Sequence, residues 1–453
     1  MGRPDIFLVN PWIHDFAAYD LWAKPLGLLI LGTRLRALGW EPHLIDFMDT
    51  DHPLMPPLES KPDARGRFHR TPIEKPASIR HVPRTFSRYG IKPECAAWSL
   101  TSKPEPKVIL VTTLMTYWYP GVKEAIELLR ETFPTVPIVL GGIYASIMPS
   151  HAWQICKPDE VVHGPGEHQL PAALDRVTGI RSKVSNELEQ YELQPCLDLM
   201  TRVRFLPLLT SRGCPLRCSY CASSRLFPQF IKRPVDEVVE FIGTALDRHG
   251  VKDVVIYDDA FLHDAQSHAV PLLELCSESF PDLRWHTPNG LHVNYITPKV
   301  AQAMKSAGFE TIRLGFETSA DGFHRLTGGK TNKTAFIMAI RNLFAAGFER
   351  ENVAAYLLVG LPGQTRAQIE DDVDFVLETG VVPKLAEYSP IPGTSMWESA
   401  KRRSRYPIET EPLFHNCTLL PSAEEGVDID FVRDIRRKIS DCLLLTVHKH
   451  VDK

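Results

Sequence analysis

Short apolar runs alternate with longer amphipathic segments over the first part of the chain. Pro25–Leu38 predicts a buried helix that ends at Gly39, and Val122, Ile126 and Leu129 form one face of another helix. The predicted strands are Ile6–Val9, Pro42–Phe47, Val108–Thr112, Pro137–Leu140 and Glu160–Val162. Strands that alternate with helices predict an α/β fold with a parallel, doubly wound, Rossmann-like sheet, which binds ligands beyond the carboxyl ends of its strands.

A second series of strand and helix units follows. Thr297 and Pro298 mark the start of one helix, and Thr365 forms a capping box with Gln368 at the start of another. The predicted strands of this series are Phe205–Thr210, Asp253–Tyr257, Arg284–Val293, Thr311–Phe316, Val353–Val359 and Lys384–Ser389. Six such units predict a partial (β/α)6 barrel, with its chemistry at the carboxyl ends of the strands.

These patterns divide the chain into two domains, a linker between them and a C-terminal extension. The first domain is predicted at residues 1–180, and the proline-rich segment 50–106 inside it is expected to form an ordered cover. Residues 181–200 are predicted as a charged linker, 201–400 as the barrel, and 401–453 as a helical C-terminal extension.

Composition excludes several classes of function. The chain has 453 residues, with 51 Lys and Arg against 55 Asp and Glu. This balance shows no basic footprint, so we expect no nucleic-acid partner. No apolar stretch approaches the roughly 20 residues of a membrane span, so we expect no membrane partner. The chain has nine cysteines, an odd number, and no apolar leader, which favours the reducing cytoplasm over a disulfide framework.

Three of the cysteines carry the strongest chemical signal. Cys214, Cys218 and Cys221 follow the first strand of the second series with the spacing Cys-x3-Cys-x2-Cys. Three thiolates on one tight loop can hold three irons of a cubane cluster and leave the fourth iron open to a small molecule. A structural zinc site is the alternative, but it needs four ligands, and no second cysteine pair is visible. The remaining six cysteines are interpreted as incidental thiols: Cys95, Cys156, Cys196, Cys276, Cys417 and Cys442.

This cysteine loop resembles that of the radical S-adenosylmethionine (radical SAM) enzymes. Further short motifs at the strand ends match that family in order. The resemblance implies a [4Fe–4S] cluster on the three cysteines and contacts to S-adenosylmethionine from Tyr220, Asp258, Asp259, Glu317, Gly360 and Pro390. On the third barrel strand, His286, Asn289 and His292 are additional polar candidates, because alternation would turn one or two of them inward.

The first domain resembles the cobalamin-binding domain found in many radical SAM enzymes. The matching residues all follow predicted strands, and glycines there let a large corrin approach the backbone. The implied cobalamin contacts are Asn10, Pro11, Trp12, Thr112, Thr113, Leu114, Met115, Tyr117, Gly141, Gly142, Ile143, Tyr144, Gly164, Gly166 and Glu167. The motif Asp-x-His-x-x-Gly is absent, so no histidine is marked as a lower axial ligand. A domain that binds no cobalamin stays open as an alternative.

Together the two resemblances imply a cytoplasmic enzyme similar to the cobalamin-dependent (class B) radical SAM methyltransferases. Its cofactors would be the [4Fe–4S] cluster, S-adenosylmethionine and cobalamin. The implied reaction is methyl transfer from methylcobalamin to an unactivated carbon of a small-molecule or peptide substrate, through a 5′-deoxyadenosyl radical. The cluster would need an external electron donor. Two alternatives remain: a rearrangement or cyclisation with the same cofactors, and an iron–sulfur electron-transfer or sensor protein.

Overall fold

The computed structural model describes residues 2–181, 193–328 and 331–451. Its internal contacts separate two compact units, Met1–Phe205 and Leu206–Lys453. Part of the linker predicted at 181–200 falls on residues 182–192, which lie outside the described residues. The rest of that segment belongs to the first unit, where the amide of Cys196 donates to the carbonyl of Leu29 at 2.9 Å.

The first unit is built on a parallel sheet of five strands. Its strands are β1 (Asp5–Asn10), β4 (Glu41–Asp46), β8 (Val108–Val111), β9 (Ile138–Leu140) and β10 (Glu160–Val161). They lie in the order β10-β9-β8-β1-β4, which confirms the predicted doubly wound α/β fold. The strand order reverses between β1 and β8, and sheets of this kind bind their ligand at the carboxyl end of that switch point.

Helices cover both faces of this sheet because its strands are apolar on both sides. In β1, Ile6 and Leu8 pack into one core cluster and Phe7 and Val9 into the opposite one. This arrangement follows from the alternation of side chains along a strand. The helices are α1 (Leu26–Ala37), α2 (Pro93–Thr101), α3 (Tyr119–Thr132), α4 (Ile143–Ile147), α5 (Pro149–Cys156) and α6 (Gly166–Thr178).

The segment 50–106 contains short strands and helices of its own. Its strands pair with short strands near the N-terminus to form two small antiparallel sheets, one of three strands and one of two. The additional strands are β2 (Ile13–Asp15), β3 (Tyr19–Asp20), β5 (Gly66–Arg67), β6 (Arg70–Pro72) and β7 (Ser87–Tyr89). The Trp12 indole fixes this segment to the main sheet by donating to the carbonyl of Ile91 at 2.7 Å.

The second unit is the predicted partial barrel. Its parallel strands follow the order β11-β14-β15-β17-β18-β19. Two further strands, β12 and β13, form a separate antiparallel pair, and β16 pairs with β17. The strands are β11 (Leu206–Leu208), β12 (Ser211–Arg212), β13 (Ile231–Lys232), β14 (Asp253–Ile256), β15 (Arg284–His286), β16 (Leu291–His292), β17 (Phe309–Glu317), β18 (Val353–Val359) and β19 (Val382–Glu387).

The third barrel strand differs from its prediction. The sequence predicts one strand over Arg284–Val293, whereas the structure breaks it between β15 and β16. Pro288 lies in the break and has no amide hydrogen to give to a ladder. Gly290 packs so tightly on Gly315 that an added Cβ would lie 3.1 Å from the Gly315 Cα atom. The backbone therefore leaves its pairing with β17 after His286 and resumes it at Leu291 and His292.

Helices enclose the outside of the second unit. Thr297 caps α10 by accepting from the amide of Val300, and Thr365 and Gln368 form the predicted capping box on α13. The helices are α7 (Ser223–Leu226), α8 (Val235–His249), α9 (Ala269–Ser279), α10 (Pro298–Ser306), α11 (Asp321–Leu326), α12 (Lys333–Ala345), α13 (Arg366–Glu378), α14 (Trp397–Arg403) and α15 (Ile429–Val451). None of the helices searched in the described part of the chain has the length and apolar character needed to cross a bilayer.

Candidate active site

The cysteine loop is closed at its base by backbone pairing. Ser211 pairs with Lys232 and Arg212 with Ile231, so β12 and β13 hold the two ends of the loop together. Gly213 starts the loop with a φ of +84°, and an added Cβ would lie 2.4 Å from the carbonyl oxygen of Gln229. Only glycine fits this position, because both the dihedral and the close approach exclude a side chain.

Asp258 connects this loop to the neighbouring strand β14. Its buried carboxylate accepts from the amide and the hydroxyl of Thr210, both at 2.8 Å, and from the hydroxyl of Ser211. Burial raises the pKa of the Asp258 carboxyl to about 6, although these donors act in the opposite direction. Asp258 therefore fixes the entrance to the cysteine loop and has little capacity left for a ligand.

The three cysteines are half-buried thiols on this loop. The amide of Ser223 donates to the Cys221 sulfur at 3.4 Å. Burial, together with a smaller effect of the negative charge of Asp259, raises the pKa of the Cys214 thiol to about 11. A bound iron would reverse this direction, because a coordinating thiol loses its proton.

A cavity of about 420 Å³ lies above the carboxyl ends of the barrel strands. It brings together residues from the cysteine loop and from the ends of β14, β17 and β18, together with the loop that interrupts the third strand. Of the predicted residues, Cys214, Cys218, Cys221, Tyr220, Asp258, Asp259, Glu317, Asn289 and His292 line it. These nine predicted residues therefore lie around one cavity.

The adjacent carboxylates Asp258 and Asp259 have different surroundings. Asp259 also lines the cavity, and its pKa is raised by burial and lowered by a hydrogen bond with Ser223. It does not share the donors that occupy Asp258. Asp259 is thus the better placed of the two to accept a hydrogen bond from a ligand ammonium group.

Tyr220 and Glu317 meet at the wall of the cavity. Burial raises the pKa of the Tyr220 phenol, and the charge of Glu317 and a hydrogen bond with its carboxylate add to that shift. Glu317 is buried and has a φ of +73°, in the left-handed region that side chains other than glycine rarely adopt. It occupies a break in register between β17 and β18, which turns its carboxylate toward Tyr220.

Several lining residues were not predicted. The phenol of Tyr295 lies 3.1 Å from Nδ1 of His263, and the hydroxyl of Tyr356 donates to the carbonyl of Pro288 at 2.8 Å. Asn289, one of the predicted polar candidates, donates from its amide to the carbonyls of Tyr257 and Asp258, so it holds the end of β14. Tyr356 could have been identified from the sequence, because it is the one side chain with a polar group in the apolar strand β18. His263 and Tyr295 lie in loops that carry no motif.

Three predicted residues lie elsewhere in the second unit. His286 is the last residue of β15, and its buried ring lies 2.9 Å from the carboxylate of Asp253 at the start of β14. Gly360 packs against the C-terminal segment, since an added Cβ would lie 2.9 Å from a methyl group of Leu420. Pro390 is buried. Neither Gly360 nor Pro390 is among the described residues that line the cavity.

In the first unit, an exposed apolar patch lies just beyond the carboxyl end of β8. Leu114 is 45% exposed and Met115 is 44% exposed, although both follow directly from a buried strand. Gly141 and Gly164 follow the ends of β9 and β10, and an added Cβ at either glycine would have no neighbour closer than 3.6 Å. Apolar side chains and open backbone at a switch-point edge suit a large planar ligand.

Other residues predicted to contact cobalamin are buried instead. Trp12 is 1% exposed, its ring lies against Phe47, and its indole nitrogen donates to the backbone, so it belongs to the core. Gly142 lies against the backbone of Thr113. The fully or largely buried members of the predicted set are Pro11, Trp12, Thr113, Tyr117, Tyr144 and Glu167, whereas Asn10, Thr112, Gly141, Gly142, Ile143, Gly164 and Gly166 are half-buried.

Asn10 has a clear structural partner. Its side-chain amide donates to the carboxylate of Asp46 at 2.7 Å, which joins the ends of β1 and β4. The backbone amide of Met48 donates to the same carboxylate oxygen at 2.9 Å. Burial raises the pKa of the Asp46 carboxyl to about 6, and the charge of Asp49 contributes. Asn10 therefore has a structural role, because it joins two strands at the edge of the sheet where a ligand would bind.

Comparison with known families decides the identity of both units. Residues 208–376 match the model of the radical SAM superfamily, and residues 99–174 match the model of the B12 binding domain. The chain joins a B12-binding domain to a radical SAM domain. A radical SAM domain takes a [4Fe–4S] cluster and S-adenosylmethionine, and a B12-binding domain takes cobalamin.

Curated relatives and solved structures agree with this identity. An uncharacterized methyltransferase of Pyrococcus horikoshii is 25% identical over 66% of this chain and 71% of its own. The cytidylyl-2-hydroxyethylphosphonate methyltransferase of Streptomyces wedmorensis is 23% identical over 84% of this chain and 79% of its own. The fold is similar to that of the radical SAM methyltransferase TsrM of Kitasatospora setae with cobalamin and a [4Fe–4S] cluster bound, with a TM-score of 0.65 and 17% identity over 90% of this chain and 80% of that one.

The residues of the radical SAM domain fit its cluster. A [4Fe–4S] cluster is held by thiolates, and this loop presents three that border one cavity. In the described residues, no three His, Cys, Asp or Glu side chains converge on a point suitable for a single metal ion. A cubane does not require such convergence, because each thiolate binds a different iron. The B12-binding domain fits a corrin through Leu114, Met115 and the open glycines beside them.

Proposed function

We propose that this protein transfers a methyl group to an unactivated carbon of a small-molecule substrate, using cobalamin and a 5′-deoxyadenosyl radical. The observation that supports it best is the single cavity that collects the three cysteines, Asp259 and the Tyr220–Glu317 pair at the ends of different strands. Two relatives named as methyltransferases favour methyl transfer over other reactions of the same cofactors.

The roles of the residues follow from their positions. Cys214, Cys218 and Cys221 hold the cluster, and Asp259 accepts from the ammonium group of S-adenosylmethionine. Tyr220 offers its ring to the adenine, with its hydroxyl held by Glu317. When bound, the cluster would supply the electron that cleaves the sulfonium of S-adenosylmethionine, and cobalamin would supply the methyl group. The protein contributes position and the exclusion of water from a radical.

In the first unit, Leu114 and Met115 provide the apolar surface for the corrin, and Gly141, Gly164 and Gly166 leave the backbone open beside it. The support for this assignment is their exposure at the ligand edge of the sheet. The motif that would mark a histidine ligand to the cobalt is absent, so this assignment includes no histidine. We also place the protein in the reducing cytoplasm, where a thiolate-held cluster persists.

The products test this proposal. Anaerobically reconstituted protein, given S-adenosylmethionine, cobalamin and dithionite, should form both 5′-deoxyadenosine and S-adenosylhomocysteine. Cys218→Ala should abolish formation of 5′-deoxyadenosine, whereas Cys417→Ala, another half-buried cysteine of the same unit, should retain it. 5′-Deoxyadenosine without S-adenosylhomocysteine would instead support rearrangement or cyclisation. No cleavage at all by a reduced, fully loaded protein would support an electron-transfer or sensor function.

A further inference from the structure

The short segment that carries Leu114 and Met115 is held at both of its ends. On its upstream side, the amide of Thr112 donates to the carbonyl of Val9 at 3.0 Å, which continues the pairing of β8 with β1. On its downstream side, Thr116–Trp118 forms a single 3-10 turn, and α3 follows directly. The two exposed apolar residues thus lie between fixed points, and the anchoring of that turn helps to define where they lie.

Trp118 is anchored by the buried carboxylate of Asp15. The indole nitrogen of Trp118 donates to one carboxylate oxygen of Asp15 at 2.7 Å, and the amide of Phe16 donates to the other at 2.6 Å. Asp15 is 4% exposed, so its carboxylate is largely removed from bulk water. A buried carboxylate needs such donors, and bonds to a charged group are among the stronger hydrogen bonds in proteins. The indole is therefore held firmly.

Asp15 is itself held by the inserted segment 50–106. It is the last residue of β2, which pairs with β7 of that segment and places Asp15 opposite Ser87. The ring of Trp118 also packs on a small apolar cluster, two of whose buried members come from the inserted segment. These buried members are Ile13, Met48, Phe68 and Tyr89. The inserted segment thus reaches the ligand edge of the first unit through one indole.

A second contact joins the inserted segment to the helix that follows the turn. Glu124 of α3 accepts from Nε of Arg88 at 3.0 Å, and Nε2 of His14 lies 2.7 Å from the same carboxylate. Arg88 belongs to β7 and His14 to β2, where the two residues are cross-strand partners. The small antiparallel sheet therefore holds both the turn and the first half of α3.

We propose that Trp118 is a positioning residue for cobalamin, and that the inserted segment acts through it to keep Leu114 and Met115 in place for the corrin. The inference rests on the proposed function, which gives this patch its ligand. A surface that is already ordered loses less conformational entropy on binding. Without the indole bond the segment would occupy several arrangements, and only the fraction in the binding arrangement would contribute to affinity.

The affinity for hydroxocobalamin, measured by its absorbance change on binding, tests the proposal. Trp118→Phe keeps an aromatic ring and removes the indole donor, and Asp15→Ala removes the acceptor. Each should raise Kd about tenfold, the effect of leaving about a tenth of the chains in the binding arrangement. Because both changes act on one bond, the double variant should bind no worse than either single variant. Asp15→Asn keeps an acceptor oxygen, so its Kd should lie between those of the unmodified protein and Asp15→Ala.

Two controls separate positioning from loss of stability. Trp153→Phe changes an exposed tryptophan on α5 and should keep the Kd of the unmodified protein. Leu35→Ala removes a fully buried side chain on the other face of the sheet, so it should lower the urea midpoint and leave Kd unchanged. Amide hydrogen exchange without cobalamin should be faster over residues 112–118 in Trp118→Phe than in Leu35→Ala or the unmodified protein.

The outcomes that contradict the proposal are distinct. An unchanged Kd in Trp118→Phe would overturn it, and so would an increase of about a hundredfold in the double variant, because the two residues would then act independently. Equal loss of affinity in Leu35→Ala would also overturn it, since lower stability would explain the effect. Failure of the unmodified protein to bind hydroxocobalamin would contradict the proposed function. The exchange rates would then still report on the segment, and equal rates in Trp118→Phe and the unmodified protein would show that the indole bond does not order it.

Discussion

The hydroxyl of Ser211 donates to the carboxylate of Asp258 across the gap between two barrel strands, and both groups are buried. This bond and those from Thr210 attach the start of the cysteine loop to β14. The position of the cysteine loop thus depends on a carboxylate of the neighbouring strand end. Changes in the packing of the barrel should therefore affect cluster binding.

Removing the charge of Asp258 should loosen the loop. Asp258→Asn replaces an acceptor by an amide donor that faces other donors, so we expect a loss of about 1–3 kcal/mol in the free energy of unfolding and a lower iron content. Asp259→Asn is the matched control for structure. It should unfold at nearly the same urea concentration but bind S-adenosylmethionine more weakly. Equal destabilisation by both variants would contradict this division of roles.

The ring and the hydroxyl of Tyr220 should contribute separately to binding. Tyr220→Ala removes the surface expected to stack on adenine, and loss of one such contact weakens binding by roughly tenfold or more. Tyr220→Phe keeps the ring and removes only the hydrogen bond to the Glu317 carboxylate, which is a bond within the protein, so its affinity should fall much less than that of Tyr220→Ala. Equilibrium dialysis of S-adenosylmethionine with the reconstituted protein measures both. If Phe weakens binding as much as Ala, the stacking role is wrong.

Gly213→Ala tests the closure of the cysteine loop. The added methyl group would meet the carbonyl of Gln229 at 2.4 Å and would also force a strained dihedral. We expect a loss of about 2–4 kcal/mol in stability, from strain and displaced backbone. Gly250→Ala provides the comparison, because Gly250 has a φ of +62° but open space around it. It should cost about 1 kcal/mol, measured by urea unfolding of both variants.

The apolar patch of the B12-binding domain should determine how well cobalamin is retained. Leu114→Ser/Met115→Ser replaces two apolar side chains that are about half exposed. Because less apolar surface is then buried against the corrin, cobalamin binding should weaken by roughly tenfold. The free energy of unfolding should stay almost unchanged. Leu54→Ser, at a residue that is 53% exposed in the same unit, is the control. Cobalamin remaining after gel filtration is quantified by absorbance. Full retention by the double variant would exclude this patch as the corrin surface.

Asp46 should make stability depend on pH. Burial raises the pKa of its carboxyl to about 6 in the folded chain, above its value when unfolded. The folded chain therefore holds a proton that the unfolded chain has lost, and stability falls as pH rises from about 4 to about 6. Asp46→Asn cannot ionise, so its stability relative to the unmodified protein should increase over that window by up to about 3 kcal/mol. Urea unfolding at several pH values tests this, and a constant difference would contradict it.

The fold and the location of the site could be predicted from the sequence because local signals determine them. Apolar runs marked the strands, and the cysteine spacing marked the loop. The direction of individual side chains could not be predicted. Asp258 and Asp259 are adjacent in sequence, and only the tertiary position of Thr210 and Ser211 decides which one turns inward.

Two further differences have the same physical origin. The interruption of the third strand depends on the close approach of Gly290 to Gly315, a contact between residues distant in sequence. Trp12 follows a strand in the way that ligand residues do, but it is drawn into the core by the carbonyl of Ile91 in the inserted segment. Motifs place residues at the edge of a sheet, and packing decides which of them face outward.

The pairing of β12 with β13 has a consequence for how the cluster is acquired. Backbone pairing joins the two ends of the cysteine loop, and only glycine fits at position 213 in this closed arrangement. The loop therefore loses its conformational entropy when the barrel folds, and this loss does not weaken the affinity of the cysteines for iron. A carrier protein would therefore deliver the cluster to a loop that is already folded, and the cluster would exchange the carrier's thiolates for those of this loop. The acidity and the accessibility of the thiols, and not folding, would govern the rate of that exchange.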